Sequence, residues 1–182
     1  MKELSLNILD IAMNSVRANA TLVEMLLTES EKTFSFIIKD NGCGMSEELL
    51  RSVTNPFTTT RTTRKVGLGI PLLKLAAEMT GGYVEITSKT NENHGTQTKA
   101  FFHKDHIDYT PLGNVVDTVC TLVQGSPAID FVFSHQMPQG TVLLDTRQMR
   151  EVLGHDTPLN DPEILQWIKE SLTAEYEELK SK

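Results

Sequence analysis

The chain has 182 residues, 39% hydrophobic and 23% charged, with two cysteines and a formal net charge of −7. That is enough for one domain with a real core plus an appendage, and no apolar run approaches the roughly 20 residues that span a bilayer. Two cysteines give neither a disulfide framework nor zinc spacing and fit a reducing, cytoplasmic setting, and Met1-Lys2-Glu3-Leu4-Ser5 is a poor start for a signal peptide. Charge is uneven: residues 1–104 hold 12 Lys/Arg and 11 Asp/Glu, whereas residues 105–182 hold 5 and 13. The acidic C-terminal part argues against nucleic acid and anionic membrane as partners and suits a basic protein.

Residues 3–19 read as a helix with Leu9, Ala12, Met13 and Val16 as its apolar stripe and Asn7, Asp10, Asn14 and Arg17 on a polar face. Strand-like runs follow at 21–28 and 33–39, joined by the turn-rich Glu29-Ser30-Glu31-Lys32. Ser46 reads as the N-cap of the next helix, with Glu47 and Glu48 in its first turn. The polar, basic stretch from Asn55 to Val66 has no period and reads as a loop. A helix starts near Ile70, with Pro71 in its first turn, Leu72, Leu75, Ala76 and Met79 as its apolar face and Gly81-Gly82 as its stop. Residues 83–89 and 96–103 read as a further antiparallel pair. Asp105–Pro111 is the best boundary, dividing residues 1–104 from 105–182. Beyond it come a helix at 112–124, strands at 129–134 and 140–146, a short helix at 147–153 and a last helix from Asp161-Pro162. That helix has Ile164, Leu165, Ile168 and Leu172 as its buried stripe and Trp167 as a docking residue.

Four motifs carry chemistry. Asp10 and Asn14 are one helical turn apart and can face one bound group. A single Asn oxygen suffices for Mg²⁺, which keeps waters and binds substrate phosphates, and Asp10 is the candidate general base for an attacking water. Arg17 can reach a phosphate from the same face. Asp40 ends a strand before Gly42 and Gly44; an acid there can accept the amine of adenine while the glycines let backbone approach the ring. Gly67-Leu68-Gly69-Ile70 opens a helix whose unpaired N–H groups suit phosphate, without the Gly-Lys-Ser/Thr ending of a P-loop. The preceding loop, with Arg61, Arg64 and Lys65, could close over a triphosphate as a lid. His94-Gly95-Thr96 adds a closing hydroxyl. Each motif alone reads equally well as a surface stripe or a turn; their order points to a nucleotide site.

Taken together, Asp10–Asn14 with Asn14-Ser15-Val16-Arg17-Ala18-Asn19-Ala20-Thr21, Asp40–Met45, Asn55-Pro56-Phe57-Thr58-Thr59-Thr60, Gly67–Ile70, Gly81-Gly82 and Gly95-Thr96 resemble the boxes of the GHKL superfamily over about residues 4–103. That superfamily holds the ATP-binding domains of gyrase, heat-shock chaperones, histidine kinases and MutL. The motifs are most like those of histidine kinases, and the Asn14 box is also like MutL. The resemblance implies an α+β fold, a two-layer α/β sandwich with a mixed, mostly antiparallel sheet, here with a small α/β extension at 105–182. It implies ATP and Mg²⁺ as cofactors, Asn14 on the metal, and Arg17, Ala18, Asp40, Gly42, Gly44, Met45, Phe57, Lys65, Gly67, Leu68, Gly69, Ile70 and Thr96 around ATP or ADP. It further implies an ATPase, or a kinase acting in trans on a protein partner as anti-sigma-factor kinases do; a nucleotide-gated switch without useful turnover is the alternative. Dimers are common among stand-alone relatives, so a homodimer stays open. Two departures stand out: Asp10 occupies the position where hydrolysing members carry Glu, and neither the phosphoacceptor-histidine helix of the kinases nor the lysine-bearing arm of gyrase and MutL has a counterpart.

Overall fold

The computed structural model describes residues 3–54 and 68–182. The basic loop at Asn55–Val66, and with it Phe57, Lys65 and Gly67, lies outside the described residues. The element order is α1 (Leu4–Arg17), β1 (Leu22–Glu29), β2 (Thr33–Asp40), α2 (Glu47–Thr54), α3 (Gly69–Met79), β3 (Tyr83–Lys89), β4 (Gly95–His103), α4 (Val115–Gly125), β5 (Asp130–Met137), β6 (Gly140–Asp145), α5 (Thr146–Leu153) and α6 (Pro162–Lys180). The strands form one open sheet in the order β3-β4-β2-β1-β5-β6. Every neighbouring pair is antiparallel except β1–β5, which runs parallel. This is the expected α+β architecture with a mixed, mostly antiparallel sheet. None of the described helices is long and apolar enough to cross a membrane.

Side chains alternate across a strand, and this sheet uses the alternation on one face. Val23, Met25 and Leu27, Phe34, Phe36 and Ile38, Ala100 and Phe102, Phe131 and Phe133, and Val142 and Leu144 are all buried there under the helices. The opposite face is more open and carries polar pairs such as Lys39–Glu24. At the start of α1, the N–H groups of Leu4 and Ser5 donate to the carbonyls of Pro111 and Leu112 at 2.9 and 2.8 Å. The segment after β4 therefore caps α1 in place of a side chain, since Glu3 makes no capping bond.

Three helix faces differ from the reading of periodicity. α1 buries Leu4, Ile8, Ile11, Ala12 and Ser15, and also Asn7, which is 2% exposed. Of the expected stripe only Ala12 is buried, with Leu9 and Met13 at its margin. The cause is that α1 packs against both α3 and α4, which widens its buried arc. α3 buries Ile70, Leu73 and Ala77, while Leu72, Leu75 and Met79 are exposed. Apolar residues nearly encircle α3, so its period admits two faces about one residue apart. In α6, Ile168 and Leu172 are buried as expected, but Trp167 is 55% exposed and does not dock the helix.

Candidate active site

The last turn of α1, the turn after β2, the start of α3 and the start of β4 converge on one cavity of about 260 Å³. Asn14, Arg17, Ala18, Asp40, Gly44, Met45, Ile70 and Thr96 line it together, and Ile11, Ile38 and Val53 supply apolar wall. The composition suits a flat, partly apolar ligand fixed by a few polar groups.

Asp40 is the most tightly held of these groups. It ends β2, is 9% exposed, and accepts three hydrogen bonds. Its Oδ2 accepts from the Ser15 hydroxyl at 2.6 Å, and its Oδ1 accepts from the backbone N–H of Gly42 at 2.9 Å and of Thr96 at 3.2 Å. A carboxylate fixed by three donors is restrained, and it keeps further acceptor capacity at the wall of the cavity it lines. Nearby, Asn14 accepts at Oδ1 from the Arg17 guanidinium at 3.2 Å, which holds a cation and a neutral oxygen side by side at the cavity wall.

The glycines have geometric reasons. Gly44 has φ +71°, and a Cβ on it would sit 1.9 Å from the carbonyl oxygen of Lys89. Gly42 lies under α1, where a Cβ would come within 2.7 Å of the Ala18 Cβ. The turn is tied on both sides: Cys43 N–H donates to the Ala18 carbonyl at 2.9 Å, His94 Nδ1 lies 2.6 Å from the Gly42 carbonyl oxygen, and the Met45 N–H donates to Ser88 Oγ at 2.7 Å. Thr96 gives Asp40 its backbone N–H, while its hydroxyl pairs with Ser88 at 2.7 Å.

At the start of α3, Leu68 is exposed and gives no side-chain cap, and among the described residues no side chain accepts from the first-turn N–H groups. Gly69 is buried against α1, where a Cβ would lie 3.1 Å from the Asp10 Cβ. Asp10 itself is exposed on α1, one turn before Asn14, and is not among the residues lining the cavity. Phe57, Lys65 and Gly67 lie outside the described residues. Among the described residues no group of three or more His, Cys, Asp or Glu side chains could hold a metal ion.

The motifs assign no role to three residues that hold the site: Ser15, Ser88 and His94. Ser15 carries a usable signal, because a serine next to Asn14 on α1 must face the sheet if Asn14 faces the cavity edge. Ser88 and His94 act across the β3–β4 hairpin, and only the pairing of β2 with β4 reveals them.

A family model described as histidine kinase-, DNA gyrase B-, and HSP90-like ATPase matches residues 1–106. Among curated proteins, the chain is 29% identical over 97 residues to the tetrathionate sensor histidine kinase TtrS of Salmonella typhimurium, covering 53% of this chain and 16% of that one. It is 29% identical over 104 residues to sporulation kinase A of Bacillus subtilis, covering 57% of this chain and 16% of the kinase. The chain thus spans about one sixth of the length of these relatives. Among solved structures, the N-terminal domain of a DNA repair protein superposes with a TM-score of 0.53 at 16% identity, over 80% of this chain and 53% of that one, a likeness of fold. The matched segment holds α1, β2 with the Asp40 turn, α2, α3 and the β3–β4 hairpin, the elements that build the cavity, and the chain belongs to the histidine kinase-, DNA gyrase B- and HSP90-like ATPase family.

Proposed function

We propose that the cavity binds ATP with Mg²⁺ and that the protein works as an ATPase or as a kinase acting in trans on a partner protein. The observation that carries this reading is the Asp40 carboxylate, locked by Ser15, Gly42 and Thr96 at the wall of a cavity that Asn14 and Arg17 share. Its free acceptor capacity suits the exocyclic amine of adenine. The buried Gly42 and the φ +71° Gly44 keep the turn beside it close and without side-chain bulk. The N–H groups at the start of α3, which no side chain among the described residues caps, suit phosphate oxygens.

The donor set fits Mg²⁺. This ion takes one or two protein oxygens and fills its shell with water and phosphate oxygens, so the Asn14 amide oxygen is enough and no carboxylate cluster is required. Asn14 would hold the ion, and Arg17, released from Asn14, would turn to a phosphate. Bound Mg²⁺ supplies charge neutralisation for phosphoryl transfer.

A nucleotide-gated switch without useful turnover is the second reading, and one observation favours it. Asp10, the candidate base, stands outside the cavity, with a side chain one methylene shorter than the usual glutamate. Release of labelled phosphate from ATP separates the two. Turnover predicts measurable release by the parent and a loss of roughly 10²-fold or more in Asp10→Asn. Absent release by the parent, with binding intact and no transfer of label to any protein, would remove the catalytic reading and leave the switch, whereas equal release by both proteins would remove only Asp10 as the base.

A further inference from the structure

An open apolar groove lies away from the nucleotide cavity, at the β6 edge of the sheet. β6, α5 and α6 enclose a groove of about 560 Å³, more than twice the volume of the cavity at Asp40. Its apolar lining is unusually open: Val152 is 85% exposed, Trp167 55% and Leu143 51%. Isolated exposed apolar residues are ordinary, but a concave cluster of them marks a contact surface.

The rim is acidic. Glu163 and Glu175 line the groove and make no ion pair among the described residues, and Asp145, the third carboxylate, is paired with Arg147 at 2.7 Å. Among the described residues no Lys, Arg or His lines the groove. Residues 105–182 as a whole carry 5 basic and 13 acidic side chains. A second copy of this chain would bring the same acidic rim against its own, which charge opposes. An added β-strand is opposed by geometry, because the outward N–H of Leu143 on the edge strand already donates to Glu175 of α6 at 3.3 Å.

We infer that this groove docks a basic amphipathic helix of a partner protein, its apolar stripe on Trp167, Val152 and Leu143 and its Lys/Arg flanks against Glu163 and Glu175. Such a helix presents anchors at i, i+3/i+4 and i+7 to a groove of this kind. The inference gives a surface to the partner of the preceding reading. Because it is tested without nucleotide, its failure leaves the ATP reading untouched.

Trp167 is the only tryptophan of the chain and reports on the groove directly. The full chain is titrated with Trp-free, 16-residue amphipathic peptides sharing one leucine stripe and flanked by either Lys/Arg or Glu. The expected result is a saturable blue shift of Trp167 emission with the basic peptides. Affinity should fall about fivefold or more on raising salt from roughly 50 to 300 mM. It should fall about tenfold in the Glu163→Gln/Glu175→Gln variant and in Val152→Asp, whose exposed position leaves the melting temperature unchanged. Equal binding of the acidic peptides, no saturable shift with any peptide, or a blue shift that depends on protein concentration alone (self-association of the chain) would each overturn the proposal.

Discussion

Asp40 and Glu29 are both carboxylates at the end of a strand, and their surroundings give them opposite roles. Asp40 is held by neutral donors and keeps acceptor capacity for a ligand. Glu29, at the other end of the sheet, sits between the Lys104 ammonium and the His135 imidazole. Its Oε2 lies 3.4 Å from Nε2 of the buried His135, a long polar contact rather than a formed hydrogen bond, and Lys104 donates to its Oε1. The His135 imidazole, followed by Lys104, holds the Glu29 carboxyl down at about 2, against the opposing effect of its partial burial. Burial and the Glu29 charge push the Tyr109 hydroxyl up to about 12 and also raise that of Tyr176, whose oxygen lies 2.7 Å from His135 Nδ1. A carboxyl depressed in the fold contributes stability above its unfolded value and loses it as pH falls through the folded one. Glu29→Gln should therefore destabilise the protein by about 1–2 kcal/mol at pH 6, after allowance for solvent screening, and the difference from the parent should vanish between about pH 4.5 and 2. Urea unfolding at a series of pH values measures this; a difference that stays constant across that range would contradict it. Asp40 was legible in the sequence because its chemistry is local, a strand end followed by two glycines. Glu29 ends β1, His135 lies on β5 and Lys104 follows β4 directly, and only the pairing of β1 with β5 and with β2, and of β2 with β4, brings them together.

Helices α1 and α3 show what periodicity decides and what it does not. Both were legible as helices, with boundaries close to those found, because each has a turn or glycine signal at its ends and an apolar period within. Which face is buried depends on what packs against it, and both helices carry apolar residues on more than one side. For α3 the structure makes a sharp distinction: Leu73 is fully buried and Leu75 is 55% exposed. Leu73→Ala should cost about 2–5 kcal/mol, the range for emptying a packed site, and Leu75→Ala should stay within about 0.5 kcal/mol. Chemical denaturation of the two variants checks the assignment, and equal losses would mean that the buried face has been misread. Trp167 teaches the same lesson on α6: its size suggested a docking role, but Ile168 and Leu172 already fill the interface.

At the scale of the whole molecule, the motif-bearing segment and the acidic extension share one sheet. β5 pairs with β1 along Leu22–Thr28, α4 packs on α1, and the Pro111 and Leu112 carbonyls cap the helix that carries Asn14. We propose that the boundary at 104/105 divides labour rather than folding, with nucleotide chemistry on one side and partner contact on the other. A chain cut after residue 104 would expose the β1 edge, a hazard for aggregation, and would leave α1 uncapped. It should show no cooperative thermal transition by circular dichroism; a two-state transition near that of the full chain would show the first 104 residues to be self-sufficient. The parallel β1–β5 joint that makes the two parts interdependent was not legible in the sequence. Nothing in a strand's own pattern names its neighbour.

If Asp40 and Asn14 form a site for Mg·ATP, as proposed, nucleotide must stabilise the fold through them, and nucleotide-dependent melting tests this most directly. A ligand at about 100 times its Kd stabilises the folded state by about 2.7 kcal/mol, which for a chain of this size raises the melting temperature by roughly 5–10 °C. Millimolar Mg·ATP should produce such a rise in the parent and little or none in Asp40→Asn or Asn14→Ala. No shift in the parent, or the same shift in all three proteins, would contradict the account.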